Sequence, residues 1–133
     1  MQQSLLIMGA AIFGCLGLLH LIYTFSGNKF EARDSSVTAA MKSSSPFISR
    51  DTTMWKAWLG FNASHSIGAM LVAAVYIPMA VEYLSIIQQS LWFTVLPILI
   101  SVSYLLLAKR YWFNIPFIGI SISTLCFIFA ALL

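Results

Sequence analysis

Both histidines of the chain lie within long apolar stretches, and other polar residues lie near each of them in sequence. Trp58, Asn62 and His65 are spaced three or four residues apart, and His20 lies in the preceding apolar stretch. Residues at such spacing share one face of a helix. An ionisable side chain within a membrane-spanning helix is costly and usually faces the bundle interior or a wet cavity. The spacing therefore predicts a polar cluster formed between two helices.

Three kinds of chemistry fit such a cluster. In the first, the polar side chains only link helices through hydrogen bonds. In the second, His20 and His65 are the axial ligands of a b-type haem, since four-helix bundles build such sites from facing helices. In the third, a pocket binds a quinone, a lipid head group or another amphipathic small molecule. Its predicted ligand-binding residues are His20, Trp58, Asn62, His65 and Tyr111.

Catalysis and metal binding find little support in the sequence. Ser64 and Ser66 neighbour His65, but adjacent residues point to different sides of a helix, and no acidic residue within a span completes a triad. The sequence has no CxxC, HExxH or Gly-rich phosphate motif. We therefore expect no metal site, and the functional hypotheses are non-enzymatic. Proton or ion transport is disfavoured because no carboxylate lies within a span.

Composition indicates the elements that position these residues. The 133 residues are 60% hydrophobic and 8% charged, whereas a soluble domain is about 45–50% apolar and about 25% charged. A soluble enzyme is therefore excluded, and the net charge of +3 is too small and too scattered for a nucleic-acid-binding face. About 20 apolar residues cross a bilayer. We predict an all-α, single-domain, antiparallel bundle of four transmembrane helices, spanning residues of about 4–25, 53–77, 90–108 and 115–133.

The distribution of basic residues predicts the orientation. All seven Lys and Arg residues lie in or beside the loops that join spans one to two (26–52) and three to four, whereas the opposite side carries only Glu82. Basic loops remain in the cytoplasm. Both termini are thus expected outside the cytoplasm.

Local signals refine the helix boundaries. Asp51 is expected to cap span two, with Thr52 or Thr53 as alternatives, and Pro78 to end or bend that span. A short surface helix is expected from Val37 to Lys42. Asn114 is expected to cap span four, followed by Pro116 in its first turn. Pro97 removes a backbone donor within span three, and Ser101 or Ser103 is expected to compensate.

Span one is rich in small residues, which allow helix backbones to approach closely in lipid. These residues are Gly9, Ala10, Ala11, Gly14 and Gly17. Span one is therefore expected to be the central packing helix. The same Gly/Ala face could also support an oligomer.

Three segments carry a resemblance to a known family. They are residues 50–69 (RDTTMWKAWLGFNASHSIGA), 108–116 (AKRYWFNIP) and 19–25 (LHLIYTF). With these segments the chain resembles a family of small bacterial four-span membrane proteins whose function is not established. The resemblance implies a bacterial inner-membrane location and four helices, and it implies no activity.

The sequence thus favours a small membrane protein that binds an amphipathic lipid or quinone in the cytoplasmic leaflet. Two alternatives remain open: a non-catalytic accessory or assembly subunit of a larger membrane complex, and a haem protein with a bis-histidine site. The expected partners are membrane lipids and other membrane subunits, and not nucleic acid.

Overall fold

A computed structural model describes all 133 residues, and they form an all-helical chain. The six helices are α1 (Gln2–Phe25), α2 (Ser35–Ser43), α3 (Met54–Glu82), α4 (Leu84–Gln89), α5 (Leu91–Tyr111) and α6 (Asn114–Ala131). Helices α1, α3, α5 and α6 are long and apolar enough to cross a membrane. In lipid the backbone must satisfy its own hydrogen bonds, which a helix does within one segment. The chain is therefore a multi-pass membrane protein, and the predicted fold class is confirmed.

The helix boundaries differ from the sequence expectation in α3 and in the segment after it. Helix α3 continues through Pro78 to Glu82, so Pro78 does not end this span, and a bend at Pro78 stays a prediction. A proline deletes one backbone donor, and a membrane helix tolerates that loss where neighbouring groups bond the freed carbonyl. The short helix α4 was not predicted, because six residues are too few to display a helical period.

The chain divides into two compact units, one formed by residues 1–16 with 69–133 and the other by residues 17–68. The division falls within α1 and α3, so each of these helices contributes to both units. The single domain expected from the sequence stays a prediction.

In the unit formed by residues 1–16 and 69–133, small residues of α1 allow close helix packing. A Cβ atom added to Gly9 would lie 2.9 Å from the Phe127 ring, and one added to Gly14 would lie 2.8 Å from the Ala73 Cβ. The buried Ser123 hydroxyl donates to the Gly9 carbonyl over 2.7 Å. Side chains at these two glycines would push α1 away from α6 and α3. This part of α1 therefore packs as the sequence predicted.

Helix α5 contains Pro97, which leaves the Phe93 carbonyl without its usual donor. The hydroxyl of the buried Tyr76 donates to that carbonyl over 3.0 Å. Ser101 and Ser103 instead donate to the Ile98 and Leu99 carbonyls of their own helix. The serines do not compensate for the proline, so that expectation is wrong. Tyr76 lies on a different helix, and its partner could not be inferred from spacing along α5.

The other unit contains the polar segment between α1 and α3, with α2 inside it. Asp34 caps α2 and accepts hydrogen bonds from the hydroxyl and backbone N–H of Ser36, at 2.7 and 2.9 Å. These two bonds hold the pKa of the Asp34 carboxyl below its ordinary value, and the bond from the Ser36 hydroxyl has the larger effect. The cap is complete at neutral pH and weakens as the pH falls through that lowered pKa.

The caps of the later helices also differ from the first expectation. The Thr53 hydroxyl accepts from the Lys56 backbone N–H over 3.3 Å, so Thr53 caps α3. Asp51 instead accepts from the Ser49 hydroxyl over 3.2 Å. Helix α6 begins at Asn114, its N-cap position is Phe113 and no side chain caps it, so the prediction that Asn114 caps this helix is wrong.

We expect Tyr76→Phe to lower the free energy of unfolding by about 1 kcal/mol, because the Phe93 carbonyl would lose its donor within an apolar environment. Denaturant titration in mixed micelles measures the change. Tyr83→Phe, at a half-exposed tyrosine, is the matched control and should be neutral. Equal stability of Tyr76→Phe and wild type would show that the carbonyl finds another partner.

Candidate functional site

The candidate site lies in the unit of residues 17–68 and centres on a hydrogen bond between α1 and α3. His20 Nε2 lies 2.9 Å from Asn62 Oδ1. Both side chains are half-buried. The two residues are 42 positions apart in sequence, and their bond links α1 to α3.

The Asn62 amide determines the proton position on His20. Its Nδ2 atom donates to the Trp58 carbonyl one turn earlier, over 2.8 Å. The Oδ1 atom therefore faces His20 and can only accept, so His20 Nε2 carries the donated proton. In the neutral imidazole, Nδ1 is then the acceptor nitrogen.

The second histidine lies directly against the first. The ring centroids of His20 and His65 are 5.3 Å apart, and the rings meet edge to face at 65°. His65 is 11 residues, or about 16 Å, beyond the start of α3, whereas His20 is only about 8 Å from the end of α1. The two rings nevertheless lie in contact.

The loop after α1 folds back over the two helices. Gly27 has a φ of +82°, a left-handed conformation that glycine adopts without strain. The Phe30 ring packs against His20 at 4.6 Å between centroids, and the Phe30 carbonyl accepts the Trp58 indole N–H over 3.3 Å. The sequence does not identify Phe30, because the turn at Gly27 brings this residue to the cluster.

Two buried hydroxyl groups accompany the cluster, and both bond within their own helices. The Thr24 hydroxyl donates to the His20 carbonyl over 2.8 Å, and the Ser66 hydroxyl donates to the Asn62 carbonyl over 2.9 Å. No buried side-chain nitrogen or oxygen lacks a partner. The cluster therefore forms a hydrogen-bonded link between helices by itself.

The histidine pair does not fit a haem. A bis-histidine haem places its porphyrin plane between the two rings, with iron bound to one nitrogen of each. The edge-to-face contact at 5.3 Å leaves no space for that plane, and His20 Nε2 is bonded to Asn62.

A groove of about 560 Å³ lies on the adjacent face of α3, between this helix, α2 and the loop that joins them. Its lining is Met41, Pro46, Ile48, Thr52, Met54, Ala57, Trp58, Gly60, Phe61 and Ser64. Six of these residues, from Met54 to Ser64, belong to α3 and form one wall along about 15 Å of that helix. Trp58 belongs to both the groove and the polar cluster.

The five residues predicted to bind a ligand do not all belong to the same unit. Four of them, His20, Trp58, Asn62 and His65, lie together in the unit of residues 17–68. Tyr111 is the last residue of α5, belongs to the other unit and is 73% exposed. A ligand-binding role for any of the five stays a prediction.

Comparison with known proteins identifies no relative: no family model, no curated protein and no solved structure matches this chain.

We expect the His20 and Asn62 side chains to contribute jointly to stability. In a double-mutant cycle of His20→Phe and Asn62→Leu, the coupling free energy should be about 0.6 kcal/mol and at most about 1.7 kcal/mol, as for other hydrogen bonds between membrane helices. Unfolding in mixed micelles provides the four free energies. The pair His20→Phe and Ser64→Ala is the control, because Ser64 donates only to the Phe61 carbonyl. Additive effects of His20→Phe and Asn62→Leu would contradict the link.

Proposed function

We propose that the protein binds a membrane-dissolved amphipathic molecule of the lipid or quinone class. The groove between α2, the loop and α3 is the observation that carries this proposal. Its volume of about 560 Å³ is within the range of about 300–1,000 Å³ for small-molecule sites. The apolar lining suits a hydrocarbon or isoprenoid chain.

The position of the groove suits a molecule with one polar end. One end is formed by the polar loop, which contributes Pro46, Ile48 and Thr52 to the lining, and the remainder follows the first three turns of a membrane-spanning helix. An apolar chain that lies along α3 would thus point into the hydrocarbon, with its polar end at the loop.

The polar cluster and the groove lining share Trp58. The Trp58 indole donates to Phe30, and the Trp58 carbonyl accepts from Asn62, which in turn bonds to His20. The bond to the Phe30 carbonyl restricts the Trp58 indole, whereas the Asn62 bond reaches only the backbone of Trp58. A side chain with few accessible rotamers presents a preformed binding wall and lowers the entropic cost of binding.

We further propose a bacterial inner-membrane location with both termini outside the cytoplasm. The resemblance of residues 19–25, 50–69 and 108–116 to a family of small bacterial membrane proteins supports the location. The positions of all seven basic residues beside two alternate loops support the orientation. The groove would then open at the cytoplasmic leaflet.

Filling the groove tests the proposed function. A Cβ added to Gly60 has nothing within 4 Å, so Gly60→Leu should fold normally and place its side chain in the groove. We expect retention of the bound molecule to fall about tenfold, since overfilling a site costs on the order of 1–3 kcal/mol. Native mass spectrometry with added phospholipid or decylubiquinone measures retention.

Ile67→Phe is the matched control, because Ile67 is exposed on α3 and does not line the groove. Its retention should equal that of wild type. Wild-type protein that retains neither probe would overturn the proposal. Recovery of that protein within a larger membrane complex would instead favour the accessory-subunit alternative.

The orientation predicts a labelling pattern. In a chain with Cys15→Ser and Cys126→Ser, we expect a membrane-impermeant maleimide to label Ser85→Cys in intact cells and Ser45→Cys only after lysis. Both serines are exposed, so accessibility within the protein does not limit labelling. Labelling of Ser45→Cys in intact cells would reverse the proposed orientation.

A further inference from the structure

The loop between α2 and α3 presents two large apolar side chains that the rest of the chain does not bury. Phe47 is fully exposed and Ile48 is 93% exposed. The Ser49 N–H donates to the Pro46 carbonyl over 3.3 Å, and this turn forms a loop tip of residues 46–48. Removing large apolar side chains from water is favourable, so a non-aqueous partner would stabilise the loop tip.

The base of this loop is attached to the first turn of α3. The Met54 N–H donates to the Ser44 carbonyl over 2.8 Å, and the Lys42 ammonium lies 5.0 Å from the centre of the Trp55 ring. Tryptophan and lysine side chains are typical of the boundary between membrane and water. Helix α3 is long and apolar enough to cross a membrane. Its first turn therefore lies at that boundary, and the base of the loop lies there with it.

The loop tip borders the lipid-facing side of α3. Met54, Trp58 and Phe61 are spaced four and three residues apart, so they share one face of the helix. All three are exposed, Phe61 by 75%, and an exposed apolar face of a spanning helix contacts acyl chains. The same three residues line the groove together with Pro46 and Ile48. The loop tip thus continues an apolar surface that begins within the membrane.

We infer that the loop tip inserts into the bilayer interface beside α3, with the Phe47 and Ile48 side chains among the acyl chains next to the headgroups. Continuity with the lipid-facing side of α3 favours the bilayer over a soluble partner. Charge agrees with this choice, because residues 42–56 include three basic residues and one acidic residue, and basic residues are attracted to anionic headgroups. The inference does not depend on a ligand in the groove.

Fluorescence quenching tests the insertion. In a chain with Cys15→Ser and Cys126→Ser, Phe47→Cys is labelled with the fluorophore NBD, and the full-length protein is reconstituted in vesicles of phosphatidylglycerol and phosphatidylcholine. Iodide quenches a label in water, whereas spin-labelled lipids quench a label in the bilayer. We expect strong quenching by the lipids, weak quenching by iodide, and a depth of about 5–10 Å into the boundary of headgroups and acyl chains.

Ser35→Cys is the matched control. Ser35 is also exposed and lies in the same polar segment between α1 and α3, but it follows Asp34 and has no neighbour in the groove lining. Its label should be quenched by iodide and hardly by the lipids. Equal quenching of positions 35 and 47 by either reagent would overturn the inference. Protection of position 47 from both reagents would indicate a contact between copies of the chain, and would also overturn it.

A second chain separates the effect of Phe47 from that of the label, because NBD is itself apolar. This chain carries the label at Ile48→Cys together with Phe47→Asp. Since Phe47 is fully exposed, the substitution should leave the fold intact. We expect the ratio of inserted to water-exposed tip to fall about tenfold, because burial of the Phe47 side chain is lost. Unchanged iodide quenching at position 48, relative to the chain that keeps Phe47, would contradict insertion through this residue.

Discussion

The requirement that polar groups find partners within the chain governs this structure. Membrane lipid offers few alternative donors or acceptors, so an unpaired group is costly there. Pro97 removes a donor from α5, and Tyr76 on α3 supplies a replacement to the Phe93 carbonyl. Ser123 similarly donates to the Gly9 carbonyl. In each case the hydrogen bond connects two helices. The same bond therefore satisfies a backbone carbonyl and holds two helices together.

The cluster around His20 follows the same requirement, and the donor and acceptor of each hydrogen bond in it are defined. Asn62 accepts from His20 and donates to Trp58, and the Trp58 indole donates to Phe30. This sequence of bonds joins α1, α3 and the loop between them. It also fixes the tautomer of His20, because the amide nitrogen of Asn62 is already engaged. An isolated hydrogen bond would leave that proton position undetermined.

The sequence predicts the spans well because length and apolar composition suffice to identify a membrane helix. It also places Trp58, Asn62 and His65 correctly on one helix face, since helical spacing is a local property. It could not identify Phe30 or the groove. Both depend on long-range folding of the loop, through Gly27 and the contact between Met54 and Ser44. The replacement donor Tyr76 was missed for the same reason, because it lies on another helix.

The satisfied state of the cluster constrains how a ligand could bind. Because His20 and Asn62 already bond to one another, a ligand that used the same atoms would have to break that bond and replace it. A ligand in the adjacent groove has no such cost, since its contacts with the largely apolar lining break none of the cluster's hydrogen bonds. The separate roles that we propose for the cluster and the groove follow from this difference. The half-buried polar side chains link α1 to α3, and the groove accommodates an apolar chain.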